Sequence, residues 1–202
     1  MKLYYSPTSP YVRKVMVLLH ETEQLADVTL IPAGGTPIDP GTMPVTKNPL
    51  GKIPALERDE GPTLYDSRVI CRYLDDRAAA ELYPEGPRQW DSLTVEATAD
   101  GMMEAAVLMV YESRVRPAEA QFAPWVEGQW DKIARALTAL ETRWMDHLTG
   151  PMDIGQIAVG CALGYLDFRH DARNWRAGHD RLAEWEAGFA LRPSMQSTLP
   201  PK

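Results

Sequence analysis

The sequence predicts an α/β domain over residues 1–79 followed by an all-helical domain over residues 85–202. Three observations carry this. Short strand-like runs alternate with helical spacing only before Tyr83. Pro84-Glu85-Gly86-Pro87 reads as a linker. Beyond it no strand-like alternation occurs, and apolar residues recur at steps of three and four.

Each element follows from its residues. Lys2 to Tyr5 is the first predicted strand, and Ser6 to Pro10 is a loop with two prolines. From Tyr11, the residues Val12, Val15, Met16, Leu18 and Leu19 recur at helical spacing to about Glu21. Pro10 suits the first turn, where a missing amide costs nothing. Val28 to Ile31 is a second predicted strand, and the glycine- and proline-rich residues 33–47 are loop. Ile53 to Leu56 and Thr63 to Tyr65 are predicted strands joined by a turn over Glu57 to Gly61. Ser67 to about Arg77 is predicted helical, with Val69, Ile70, Tyr73 and Leu74 as its apolar face. In the second domain, Val126, Trp130, Ile133, Leu137, Leu140 and Trp144 mark a long packed helix. Ile154 to Leu166 is apolar nearly all round, with Gly155, Gly160 and Gly164 permitting close approach, and reads as the central buried helix. Leu182, Trp185 and Phe189 mark a last amphipathic helix, and the tail from Arg192 is expected to be loose.

Composition narrows the function. The net charge is −7, from 21 basic and 28 acidic residues, so no global field draws the molecule to nucleic acid or an anionic membrane. No leader sequence and no membrane span is read, and Cys71 and Cys161 lie in no metal or redox spacing, which together point to a reducing cytoplasm. His20, His147, His170 and His179 match no metal spacing and are expected at the surface or at helix ends, so no metal is expected. There is no glycine-rich nucleotide motif.

Three short features could hold a small peptide-like anion. Ile53-Pro54 admits two readings: a trans proline on an edge strand, or a cis bond that turns the Ile53 N–H and C=O outward to pair with a peptide. Asp66-Ser67 opens a helix. It is either a plain cap or a pair in which Ser67 and the free amides hold a carboxylate while Asp66 meets an ammonium group. Ser9 lies at the mouth of the first helix, either as a cap or as a hydroxyl donor to an anion held there.

Together these features resemble the glutathione transferase superfamily. The likeness rests on Leu-Tyr-Tyr-Ser-Pro-Thr-Ser-Pro-Tyr-Val-Arg-Lys-Val near the N-terminus, on Asn-Pro-Leu-Gly-Lys-Ile-Pro-Ala-Leu, and on Asp-Ser before a helix. It extends to Asp-Ile-Gly-Gln-Ile-Ala-Val-Gly-Cys-Ala-Leu-Gly-Tyr-Leu-Asp in the second half. The resemblance implies a thioredoxin-like domain, an all-helical substrate domain, a homodimer, and glutathione as co-substrate. It implies that Ser9 contacts the glutathione sulfur, that Ile53 pairs with the cysteinyl unit ahead of a cis Pro54, and that Asp66 and Ser67 take the γ-glutamyl end. Lys52 matches a position that approaches the glycyl carboxylate in some classes. The chain also departs from the family pattern. Asp66 stands where glutamate is commoner, Gly150 stands where serine or threonine precedes the sixth helix, and no cysteine lies near Ser9. Tyr5 occupies a position important in some bacterial classes but is expected to face the core of the strand.

The implied chemistry is thiol activation. A free thiol with a pKa near 8.5 is only about 3% thiolate at pH 7. Lowering that pKa by two units takes ~2.7 kcal/mol. One hydroxyl donating to an anion supplies roughly 1.5–3 kcal/mol, and a helix terminus ~0.3–1 kcal/mol. Ser9 at the head of the first helix is therefore sufficient in magnitude, without acting as base or nucleophile. The thiolate then attacks a small hydrophobic electrophile. Met102, Met103 and Met109 with Tyr111 and Arg114 are either its pocket or simple core. Conjugation is the default reaction, glutathione-assisted isomerisation fits the same site, and a non-catalytic glutathione- or partner-binding module of the same fold is the competing class.

Overall fold

The structure, a computed structural model, describes residues 1–201. Two compact units are present: residues 1–82 together with 193–201, and residues 83–192.

The first unit has the expected mixed architecture. Strand β1 (Lys2–Tyr5) is central, with β2 (Thr29–Pro32) parallel on one side and β3 (Ala55–Glu57) antiparallel on the other. Leu3 is paired with both Leu30 and Leu56. Helices α1 (Pro10–Glu21) and α2 (Ser67–Ala78) pack against each other. Val12, Val15, Leu18 and Leu19 of α1 meet a core that includes Leu3, Leu56, Ile70 and Leu74, all fully or almost fully buried. Each such side chain contributes roughly 1.5–3 kcal/mol by leaving water.

Three expectations need correction. The strand expected over Thr63 to Tyr65 is reduced to one bridge, Leu64 to Leu56. Pro62 has no N–H to give, and its carbonyl is taken by the Arg58 guanidinium at 3.1 and 3.2 Å. On α2 the buried stripe is Ser67, Ile70, Cys71 and Leu74, whereas Val69 is 47% exposed. With 3.6 residues per turn, Val69 lies well round the helix from Ile70 and Leu74. The tail is not loose. It forms α8 (Pro193–Ser197), which packs on α1. There the Arg13 guanidinium donates to the Met195 carbonyl at 3.2 Å, and Ser194 donates to Glu21. These are polar contacts between distant parts of the chain, which no hydrophobic periodicity announces.

The second unit comprises α3 (Arg88–Val115), α4 (Ala123–Arg143), the single turn α5 (Met145–Leu148), α6 (Ile154–His170) and α7 (Asp180–Phe189). As predicted, α6 is buried over most of its length. Its most extensive neighbour is α3, a long helix whose apolar residues keep to no single stripe. A β-carbon on Gly155 would sit 2.9 Å from Val95 Cγ1, so glycine is what lets the two helices meet there. The start of α6 is capped twice. Asp153 accepts from the Gly155 amide at 2.9 Å, and Gln156 accepts from the Asp153 amide at 2.6 Å. His147 lies at a helix end, as expected, in the last turn of α5, and its Nε2 lies 2.9 Å from Asp153 Oδ2. No helix among the described residues is long and apolar enough to cross a membrane.

Candidate functional site

The residues singled out in the first unit come together through the sheet. Tyr4 pairs with Ala55, so the loop leaving β1 toward Ser9 runs beside the residues entering β3. Leu56 pairs with Leu64, and continuing that register sets Pro54 opposite Asp66. One end of β3 thus gathers Ile53-Pro54, the Asp66-Ser67 pair and the approach to Ser9. Tyr5 is half-buried on the Leu3 side of β1.

Ser9 is the N-cap of α1. Its Oγ accepts from the Val12 amide at 3.3 Å. That bond uses an oxygen lone pair and leaves the hydroxyl hydrogen free to donate. Cap and donor, which were alternatives in the sequence, are compatible in one side chain.

Ile53-Pro54 is presented by a loop built on Asn48. The Asn48 side chain is buried, donates to the Lys52 carbonyl at 2.9 Å and accepts from the Leu50 amide at 3.0 Å. Gly51, at φ +60°, completes the turn and donates to the Asn48 carbonyl. The Ile53-Pro54 bond is cis. The Ile53 N–H and C=O pair with no other described residue. Lys52 is exposed, and its ammonium forms no ion pair with a described residue.

At the third position the roles differ from expectation. Asp66, not Ser67, is the cap of α2, accepting from the Arg68 amide at 3.1 Å and from its guanidinium at 2.9 Å. Ser67 is the first helical residue, 2% exposed, with a hydroxyl that has no partner among the described residues. Burial pushes the Asp66 carboxyl up, but the Arg68 hydrogen bonds and charge, with help from Lys14, hold it below its ordinary value. It is therefore ionised throughout the neutral range. Its charge is lost only as pH falls through that depressed pKa, below the usual carboxylate value of about 4.

Asn48, Lys14 and Arg68 were not assigned from sequence. Asn-Pro-Leu-Gly carried a turn signal that could have identified Asn48. Lys14 is fully buried on α1, four residues before Leu18, where an apolar count passes over it. Arg68 sits in a position that any exposed helical arginine could occupy.

The second unit divides the expected pocket residues. Met102 and Met103 are buried, and Met102 borders a groove of about 340 Å³ between α3 and α4, with Thr98, Gly101, Ala105, Gln129 and Lys132. Met109 is buried in the core. Tyr111 and Arg114 lie elsewhere, near Tyr165 of α6.

The chain matches the models of the glutathione S-transferase N-terminal domain over residues 8–77 and C-terminal domain over residues 123–188. It is 36% identical over its whole length to all of the uncharacterized GST-like protein YibF of Escherichia coli K12. A glutathione transferase family member from Pseudomonas fluorescens Pf-5, solved with bound glutathione, is 49% identical, with a TM-score of 0.97 over 100% of this chain and 99% of that one. A maleylacetoacetate isomerase from Pseudomonas aeruginosa is 41% identical over 80 residues, 38% of this chain and 37% of that protein.

Proposed function

Since the chain belongs to the glutathione S-transferase family, we propose that it is a glutathione-dependent transferase that activates the thiol with Ser9 and adds the thiolate to a small electrophile. The carrying observation is the Ser9 hydroxyl, fixed at the head of α1 by the Val12 amide with its proton free. Glutathione lies along the end of β3: the Ile53 main chain pairs with its cysteinyl unit beside Pro54, and Asp66 and Ser67 receive the γ-glutamyl ammonium and carboxylate. Lys52 faces the glycyl carboxylate. Residues of the helical unit bind the electrophile. The enzyme works as a cytoplasmic homodimer and needs no metal. The bound glutathione seen in the Pseudomonas fluorescens relative supports the ligand.

The test is an ultraviolet titration of the bound thiolate. The expected apparent pKa is about one to two units below the free value of ~8.5. A bound thiol titrating with the free value would overturn the enzyme reading and leave a glutathione-binding module. The partial likeness to an isomerase favours a second reaction at the same site, in which the thiol adds to a double bond, permits rotation and leaves.

Asp66→Asn tests the γ-glutamyl assignment. Asparagine keeps the α2 cap, so the fold is retained, but the charge that meets the ammonium is lost. Glutathione affinity should fall about tenfold, the low end for a charged hydrogen bond at a half-exposed site. By calorimetry, cysteinylglycine should bind both proteins equally; a tenfold loss for it as well would place Asp66 elsewhere on the ligand.

A further inference from the structure

We infer that Arg114 and Arg169, with Tyr111 and Tyr165, form a carboxylate-recognition site in the helical unit, so that the preferred electrophile is an organic acid. The inference rests on the transferase reading above and names its substrate class.

Several arginines of this unit are held by an acid, whereas no described acid holds the exposed Arg135 and Arg143. Arg88 pairs with Asp153, Arg116 with Glu112, Arg173 with Glu127, and Arg176 with Asp167 and Glu186. Arg114, in the last turn of α3, and Arg169, near the end of α6, have no carboxylate partner among the described residues. Arg169 is the more telling. Its Nε is buried and makes no hydrogen bond, while its guanidinium carbon lies 3.8 Å from the centre of the Phe168 ring. A buried N–H without an acceptor is uncommon, and arginine is suited to bidentate carboxylate recognition.

The two arginines converge on one phenol. Tyr165 stands one turn before Arg169 on α6, largely buried, with Phe168 and His170 at its edges. Burial pushes this phenol up; the Arg169 charge, a hydrogen bond from the Arg169 guanidinium to the phenol and the Arg114 charge pull it down, and Tyr111 is near enough to act on it too. The same field is felt at His170. Burial lowers its pKa first and Arg173 and Arg169 add to this, against a raising hydrogen bond with the Ala106 carbonyl. The result is two cations and two phenols, with neither arginine in an ion pair with a described residue, in a chain of net charge −7. Arginine at a helix C-terminus also complements the helix dipole. That role keeps the guanidinium in water and does not account for a buried, unpartnered Nε.

The experiment is calorimetric titration of the full chain with 3-nitrobenzoate and with the isosteric 3-nitrobenzamide, with and without S-methylglutathione. The benzoate should bind about tenfold more tightly than the amide, as expected when a charged hydrogen bond replaces a neutral one. Arg114→Gln and Arg169→Gln should each remove most of that preference while leaving amide binding and glutathione affinity unchanged, and Arg169→Lys should restore part of it. Turnover of 4-chloro-3-nitrobenzoate should follow through KM. Equal binding of acid and amide, or equal losses of both in the variants, overturns the inference. Arg114 is exposed, so its variant decides the matter if Arg169→Gln fails to fold. If S-methylglutathione fails to bind, the transferase reading falls, while the benzoate titration still decides the anion site.

Discussion

Replacing Ser9 with alanine is expected to raise the pKa of bound glutathione by about one to two units and to lower kcat/KM at neutral pH roughly 10- to 100-fold. This is the worth of one hydroxyl donating to an anion, ~1.5–3 kcal/mol, expressed in the thiolate. The sign is fixed by which form the hydroxyl favours. It stabilises the thiolate, so the wild-type pH–rate profile rises at lower pH and the alanine profile is displaced upward. The same substitution removes the acceptor for the Val12 amide and so costs a helix cap, about 1 kcal/mol of stability. Two further variants separate these effects. Ser9→Asp keeps a cap acceptor but has no proton to donate and repels the thiolate, so it should be stable and the least active. Ser9→Thr keeps both groups and should be nearly normal. An unchanged thiol pKa in Ser9→Ala would remove Ser9 from the chemistry.

The largest stability effect is expected at Asp153. Its carboxylate is 1% exposed and serves the Gly155 amide, His147 and the Arg88 guanidinium, which lies at 3.1 Å. Asp153→Ala uncaps α6 and leaves Arg88 and His147 facing a void. A loss of about 2–4 kcal/mol is expected: about 1 kcal/mol for the helix cap and about 1–3 kcal/mol for the His147 ring nitrogen left without its partner, while the half-exposed Arg88 regains water. For a chain of this size that lowers the midpoint of thermal unfolding by roughly 4–16 °C. Asp153→Asn keeps the cap and the volume and should lose less. Differential scanning calorimetry would show both; an alanine variant within about 1 kcal/mol of wild type would mean that the cluster relaxes without cost.

How much could be read in advance follows from the range of each interaction. The helices α1, α4, α6 and α7 were visible because packing against a core imposes its period on the sequence. The Asp153 start of α6 was visible because a cap acts over three residues. The Ser9, Ile53-Pro54 and Asp66-Ser67 motifs were visible too, because each is a local device. Their exact use was less so. That Asp66 rather than Ser67 caps α2 depends on where the chain turns after the Leu56–Leu64 bridge, which one residue can shift.

By itself, the sequence determined the element types, the family likeness and the short motifs that would hold a peptide-like anion. Only the tertiary structure decided how those motifs gather at one end of β3, because strand register joins residues far apart in the chain. It also decided that the C-terminal residues bind α1, that Asn48 shapes the loop before Ile53, and that the Arg169 Nε is buried without an acceptor. Polar contacts of this kind have no period and no fixed spacing. Their energies are set by geometry and by exclusion of water, which arise only when the chain is packed.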